Sequence, residues 1–165
     1  MFSSTTRRQE FIITRMTEHD LVDVVELEET CHLSRWGWEA YYGELKENKR
    51  SVMMVARGQT GDEFSLDRKI EGFIAARLIS DELHINNVAV RQESRRLGIG
   101  RKLLDIALHQ GVLMGAKIAF LEVRAGNAPA QTLYTRCGFR IVGRRQEYYT
   151  QPLEDALVMS LAMRS

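Results

Sequence analysis

Arg95, Arg96, Gly98, Gly100, Arg101 and Lys102 form a short run whose side-chain types suit one task, the holding of an anion. They follow an apolar stretch ending near Val90 and open a segment with helical apolar spacing, which puts them at a helix N-terminus. Cations there oppose the helix macrodipole, each at a cost of about 0.3 to 1 kcal/mol. Arg95, Arg96, Arg101 and Lys102 together are a local choice against stability. A bound anion would offset it, because the first N–H groups of a helix lack carbonyl partners and point the same way. Gly98 and Gly100, lacking Cβ, let the main chain come close to a phosphate. A glycine-bearing turn with solvated arginines would show the same residues, and a short Gly-x-Gly is by itself a weak signal.

Other chemistries find less support. Cys31 and Cys137 cannot build a disulfide framework and lack metal-ligand spacing. Cys137 reads as a small buried hydrophobe. His19, His32, His84 and His109 are scattered, so no metal is expected, and His84 is read as structural. A formal net charge of +1 gives no global field for nucleic acid or an anionic membrane, so the basic run acts locally. Arg144 and Arg145 read first as a solvated face and second as a contact for an acidic peptide.

The 165 residues, 44% hydrophobic and 27% charged, suit a single domain over 1–165, with residues 1–8 expected to be disordered. Thr6-Arg7-Arg8 faintly resembles an export signal, but Phe11, Ile12 and Ile13 are followed at once by Thr14 and Arg15, with no apolar h-region. No run approaches the roughly 18 apolar residues of a membrane span. The expectation is a soluble, unprocessed cytoplasmic protein that binds neither membrane nor nucleic acid.

The elements that must carry the basic run can be read from pattern. Phe11–Met16 reads as a strand, and Thr17 with Asp20 as a capping signal opening a helix that presents Leu21, Val24 and Val25 and ends near Cys31. Trp38, Tyr41, Tyr42 and Leu45 give a second helix with an aromatic face, most of it packing on the sheet. Ser51–Arg57, Ile70–Ile79 and Glu82–Val90 read as strands, the first two joined by the polar loop GQTGDEFSLDRK. In the next helix Ile99, Leu103, Ile106, Ala107 and Leu113 share a face, and Lys117–Val123 follows as a buried parallel strand. Asn127 as N-cap, Pro129 in the first turn and Gly138 as stop bracket a last helix with Ala130, Leu133, Tyr134 and Cys137 on one stripe. Phe139–Val142 and Leu157–Leu161 close the chain as an antiparallel pair joined through YYTQPLED.

The strand ending in VAV, the run RRLGIGRKLL and the later LEVRAGNAPAQTLYTRCGF together resemble the GNAT superfamily of acetyl-CoA-dependent N-acetyltransferases. Arg95, Gly98 and Gly100 match that family's pyrophosphate loop. LEVRAGN, the pairs Leu133-Tyr134 and Gly138-Phe139, and the late EYY and EDALVM segments resemble more narrowly the RimI-type ribosomal-protein-alanine N-acetyltransferases. The likeness is good over residues 84–162 and loose before them. There, LSRWGWEA stands where RimI-type proteins often have an aromatic-Pro-Trp-Ser segment, so the acceptor is the least secure part of the likeness.

The resemblance implies a mixed α/β (α+β) fold with a largely antiparallel sheet of about six to seven strands, splayed in the middle and flanked by about four helices. It implies that the main chain of Val88, Ala89 and Val90 pairs with the pantetheine arm of acetyl-CoA. Arg95, Arg96, Leu97, Gly98, Ile99, Gly100 and Arg101 would wrap the pyrophosphate, and Asn127 would touch the cofactor. Glu122 matches the family's general base and Tyr134 its general acid, while Trp36, Tyr148 and Tyr149 would face the acceptor. Glu122 could equally be a strand-end carboxylate paired with Arg124 or another cation, and Tyr134 could simply be core. The activity implied is direct acetylation of a protein N-terminus, a ribosomal protein in particular. A small-molecule amine as acceptor, or a domain that binds acetyl-CoA without catalysis, are the alternatives.

Overall fold

The structure, a computed structural model, describes residues 10–47, 49–58 and 69–164. Seven strands, β1 (Phe11–Arg15), β2 (Ser51–Gly58), β3 (Ile70–Ile79), β4 (Glu82–Val90), β5 (Ile118–Arg124), β6 (Arg140–Thr150) and β7 (Leu153–Ala162), make one sheet. Their order is β1-β2-β3-β4-β5-β7-β6. Four helices flank it: α1 (Leu21–Thr30), α2 (Gly37–Glu47), α3 (Ile99–Leu113) and α4 (Ala128–Arg136). None of the helices is long and apolar enough to cross a membrane among the described residues.

Strand alternation feeds two cores, one on each face of the sheet. Ile74, Leu83, Ile85 and Leu121 pack with Ile99, Leu103 and Leu104 of α3 and with Phe139. Val55 and Phe73 pack on the other face with Leu21, Val24 and Leu27 of α1 and Tyr41 of α2. Each such fully buried Leu or Ile contributes about 2 kcal/mol by leaving water.

Every strand pair is antiparallel except β4 with β5, and that pair is incomplete. Glu82–Ile85 bond to Ile118–Leu121, and there the contact stops. Asn86 is an extra residue between the pairs Ile85↔Ala76 and Asn87↔Ala75, and such a bulge increases strand twist. Beyond it β4 stays with β3 while β5 stays with β7, so the sheet opens between them as the splayed middle anticipated above.

Gly72 guards the upper end of that opening. A Cβ there would lie 2.6 Å from the carbonyl oxygen of Ala89 and 3.4 Å from both Ile99 and Leu103. The oxygen belongs to the β3–β4 ladder and cannot yield without breaking it. Gly72→Ala is therefore expected to cost about 2 kcal/mol and to lower the thermal midpoint by roughly 4 to 8 °C. A melting curve that overlays the wild-type one would show that β4 has slack at this point.

Three sequence expectations need correction. YYTQPLED is not a connecting loop: β6 runs to Thr150, β7 begins at Leu153, and Gln151 with cis Pro152 makes the turn. The pairing of long strands outweighs the polar composition of that segment. Leu113 is 68% exposed, because the buried stripe of α3 follows Ile99, Leu103, Ala107 and Gly111. Of the aromatic face, Tyr41 is buried in the core with Tyr42 and Leu45 packed against it, as expected, while Trp38 is exposed and stacks on Tyr42. Thr17 and Asp20 do form a capping box, but it opens a short 3-10 turn over Glu18–Asp20 that leads into α1. Residues 1–8 and most of the β2–β3 loop lie outside the described residues.

Candidate functional site

Past Val90 the chain makes a 3-10 turn (Gln92–Ser94), and then Arg96 and Gly98 both take left-handed conformations, φ 65° and 81°, before α3 begins. Left-handed residues between ordinary ones turn successive N–H groups into one concavity. Lys102 N–H reaches the Gly98 carbonyl at 3.0 Å, whereas Ile99, Gly100 and Arg101 occupy the first turn and have no carbonyl one turn behind them. A Cβ on Gly98 would meet nothing within 4 Å, so its φ alone demands glycine. Gly100 has a different reason: its Cβ would sit 3.2 Å from Leu133, so it lets α3 lie against α4.

The four cations are not equivalent. Arg95 turns back, donating from Nε to the Val90 carbonyl at 3.2 Å and from Nη2 to Cys31 Sγ at 3.7 Å. Arg101 pairs with Asp105 one turn on, at 3.0 Å, which relieves part of its conflict with the helix dipole. Arg96 and Lys102 are exposed and make no ion pair among the described residues. Of the four cations only Arg101 is offset by an ion pair among the described residues, and Leu97, between Arg96 and Gly98, is exposed.

β4 leads from this loop into the gap. Arg91 N–H donates to the Glu71 carbonyl of β3 at 2.8 Å, while Val90 O receives Arg95 from the opposite side. By strand alternation Ala89 also spends its main chain on β3, leaving Val88 and Val90 to face the opening. Within the segment Val88–Val90, a strand offers only every second residue to each neighbour.

A cavity of about 130 Å³ occupies the gap itself. Val88, Glu122, Asn127, Tyr134, Trp36, Tyr148 and Tyr149 all line it, although they come from five separate segments. Glu122 is half-buried and lies 3.3 Å from Arg145, not beside Arg124. Arg144 pairs with Asp155 at 2.7 Å, so neither arginine of that pair is simply solvated. Asn127 spends its side-chain oxygen on the cap, accepting from Ala130 N–H at 3.2 Å, and its amide nitrogen remains.

Tyr134 is buried, its ring edge-on to Phe139 at 6.1 Å. Its hydroxyl makes no hydrogen bond among the described residues. Burial first, then the neighbouring Tyr149 and Cys137, hold its ionisation above the ordinary tyrosine value, so it keeps its proton. Tyr149 lies under the Arg124 guanidinium at 4.1 Å and is pushed up to about 12, mainly by burial. Tyr148 stands edge-on to it, 45% exposed at the rim.

Two residues that sequence reading missed hold the loop between α1 and α2 in place. Glu28 is 1% exposed and accepts from Trp36 N–H at 3.0 Å, Gly37 N–H at 3.1 Å and the Tyr41 hydroxyl at 2.5 Å. Asn87 donates in turn to the Tyr41 oxygen at 2.7 Å and to the Ser34 carbonyl at 3.2 Å. The loop between α1 and α2 is thereby tied to β4 beside Val88. Signals existed: Glu28 continues the apolar spacing of Leu21, Val24 and Val25, where a carboxylate is out of place, and Asn86-Asn87 interrupts an apolar strand.

Comparison with known proteins gives the following. The profile of the Acetyltransferase (GNAT) family matches residues 21–139. A Bacillus subtilis (strain 168) protein provisionally named [ribosomal protein bS18]-alanine N-acetyltransferase is 31% identical over 147 residues, 89% of this chain and 92% of that protein. The Salmonella typhimurium (strain LT2) [ribosomal protein bS18]-alanine N-acetyltransferase is 29% identical over 151 residues, 90% of this chain and 95% of the other. The crystal structure of the ribosomal-protein-S18-alanine N-acetyltransferase from Escherichia coli superposes with a TM-score of 0.78 at 28% identity, covering 94% of this chain and 96% of that one.

Proposed function

The chain belongs to the GNAT acetyltransferase family, and from that premise we propose that it moves the acetyl group of acetyl-CoA directly to the α-amino group of a protein N-terminus, the protein being ribosomal. The observation that carries this reading is the opening between β4 and β5, with the left-handed turn of Arg96 and Gly98 at one end and a carboxylate and a protonated phenol in its cavity. Relatives of matching length are named for this activity on ribosomal protein bS18.

Acetyl-CoA, when bound, supplies an acetyl group on a thioester sulfur. The residues present fit it. Arg96, Lys102 and the first-turn N–H groups of α3 would hold the diphosphate, and the outward main-chain groups of Val88 and Val90 would hold the pantetheine arm and polarise the acetyl carbonyl. Glu122 takes the proton of the incoming amine, directly or through water. Tyr134, protonated and without another partner, keeps a proton for the departing sulfur. Trp36, Tyr148 and Tyr149 flank the acceptor, and no covalent enzyme intermediate is needed.

The acceptor side favours an α-amine over a polyamine. Glu122 is the one carboxylate among the described residues lining the cavity, and it already faces Arg145. A modest base suffices for an α-amine, whose reference pKa of about 7.7 to 8.0 leaves roughly a tenth of it neutral at pH 7, against far less of a lysine at about 10.4. Turnover of a panel of N-terminal hexapeptides and free amines, followed by mass, tests the assignment. Acetylation of peptides with free α-amines supports it; acetylation of small amines only, or none despite acetyl-CoA binding, overturns it.

The pH profile follows from the same groups. Rate should rise to about pH 8 as the α-amine loses its proton. It should then stay level to about pH 10, because a raised ionisation means that Tyr134 still carries its proton there. A descending limb between these values would remove Tyr134 from proton donation.

A further inference from the structure

Arg124 follows Glu122 by two positions on β5, and its side chain is only 15% exposed. Its Nε donates to the His32 carbonyl, 3.2 Å away in the α1–α2 loop. Its other two nitrogens donate to the β6–β7 turn: Nη1 to the Pro152 carbonyl at 3.0 Å and to Glu154 at 3.3 Å, Nη2 to the Gln151 carbonyl at 3.1 Å. The flat face of the same group covers Tyr149 at 4.1 Å. One planar fork therefore touches both walls between which Trp36, Tyr148 and Tyr149 stand. His32 takes a left-handed φ of 53° as the residue that closes the C-terminal cap of α1, its N–H on the Glu29 carbonyl at 3.2 Å and the Leu33 N–H on the Glu28 carbonyl at 3.0 Å, which leaves its own carbonyl pointing outward to Arg124.

We propose that Arg124 is a positioning residue that sets the width of the acceptor doorway by fixing the α1–α2 loop and the β6–β7 turn to one guanidinium. It rests on the function proposed above for the identity of what passes through, and on geometry alone for the bridge. Glu28 and Asn87 fix the far end of the same loop from below, so loss of Arg124 frees the near end without unfolding α1 or α2. Lysine keeps the charge beside Glu154 but cannot present donors in three fixed directions, so it does not restore the bridge.

Arg124→Gln and Arg124→Lys test this by steady-state kinetics with both substrates varied, and by hydrogen exchange of the protein alone. Both variants should raise acceptor KM at least about tenfold while acetyl-CoA KM stays within about twofold, because the anion loop is untouched. Exchange should quicken together at His32 and Leu33, the end of the loop that Arg124 holds, and in the β6–β7 turn. A purely local role in the hairpin would quicken the turn alone, and that result, or an unchanged acceptor KM, overturns the proposal. If the wild-type protein acetylates no peptide, the function fails while the exchange result still decides the bridge.

Discussion

Glu122→Gln should lower kcat about a hundredfold and leave acetyl-CoA affinity within about twofold of wild type. Glutamine keeps the shape of the side chain and can still accept from Arg145, so the cavity and the fold stay as they are. What it loses is the ability to take a proton. General bases contribute roughly a hundred- to ten-thousandfold, and an α-amine that is partly neutral already calls for the lower end. The deficit should shrink as pH rises and the amine deprotonates without help. An unchanged kcat at pH 7 would make Glu122 a structural partner of Arg145 and no more.

Tyr134→Phe is the second large effect expected. The ring stays edge-on to Phe139, and the hydroxyl that is removed has no partner among the described residues, so the melting temperature should move by no more than about 2 °C. kcat should fall about thirtyfold to a hundredfold, since a thiolate with a reference pKa near 8.5 can leave unaided, but more slowly. Acceptor and acetyl-CoA KM values should change little. Wild-type turnover in this variant would leave Tyr134 as a core residue whose hydroxyl merely borders the cavity.

Much of this architecture was legible in the residues because local rules agree with the global fold. The bounds of β4 and the N-cap at Asn127 follow from apolar runs and capping chemistry that the tertiary structure does not override. The loop proposed to hold an anion stood out for a related reason: Arg95, Arg96, Arg101 and Lys102 oppose the dipole at a helix start, a local choice against stability. What was hidden depends on contacts distant in sequence. That Glu122 meets Arg145 and not Arg124 is settled by β7 lying between β5 and β6, a strand order that no local pattern encodes. Arg124 itself reads only as a possible partner of Glu122 until the hairpin turn and the α1–α2 loop arrive on either side of it.

The account depends most on the grip of the loop before α3 on a diphosphate, and calorimetric titration reads it directly. Acetyl-CoA titrated into the purified protein should bind one to one and saturably, while acetyl-pantetheine, which has the thioester arm without the diphosphate, should bind at least about a hundredfold more weakly. Equal affinity for the two, or no heat with acetyl-CoA, would contradict it.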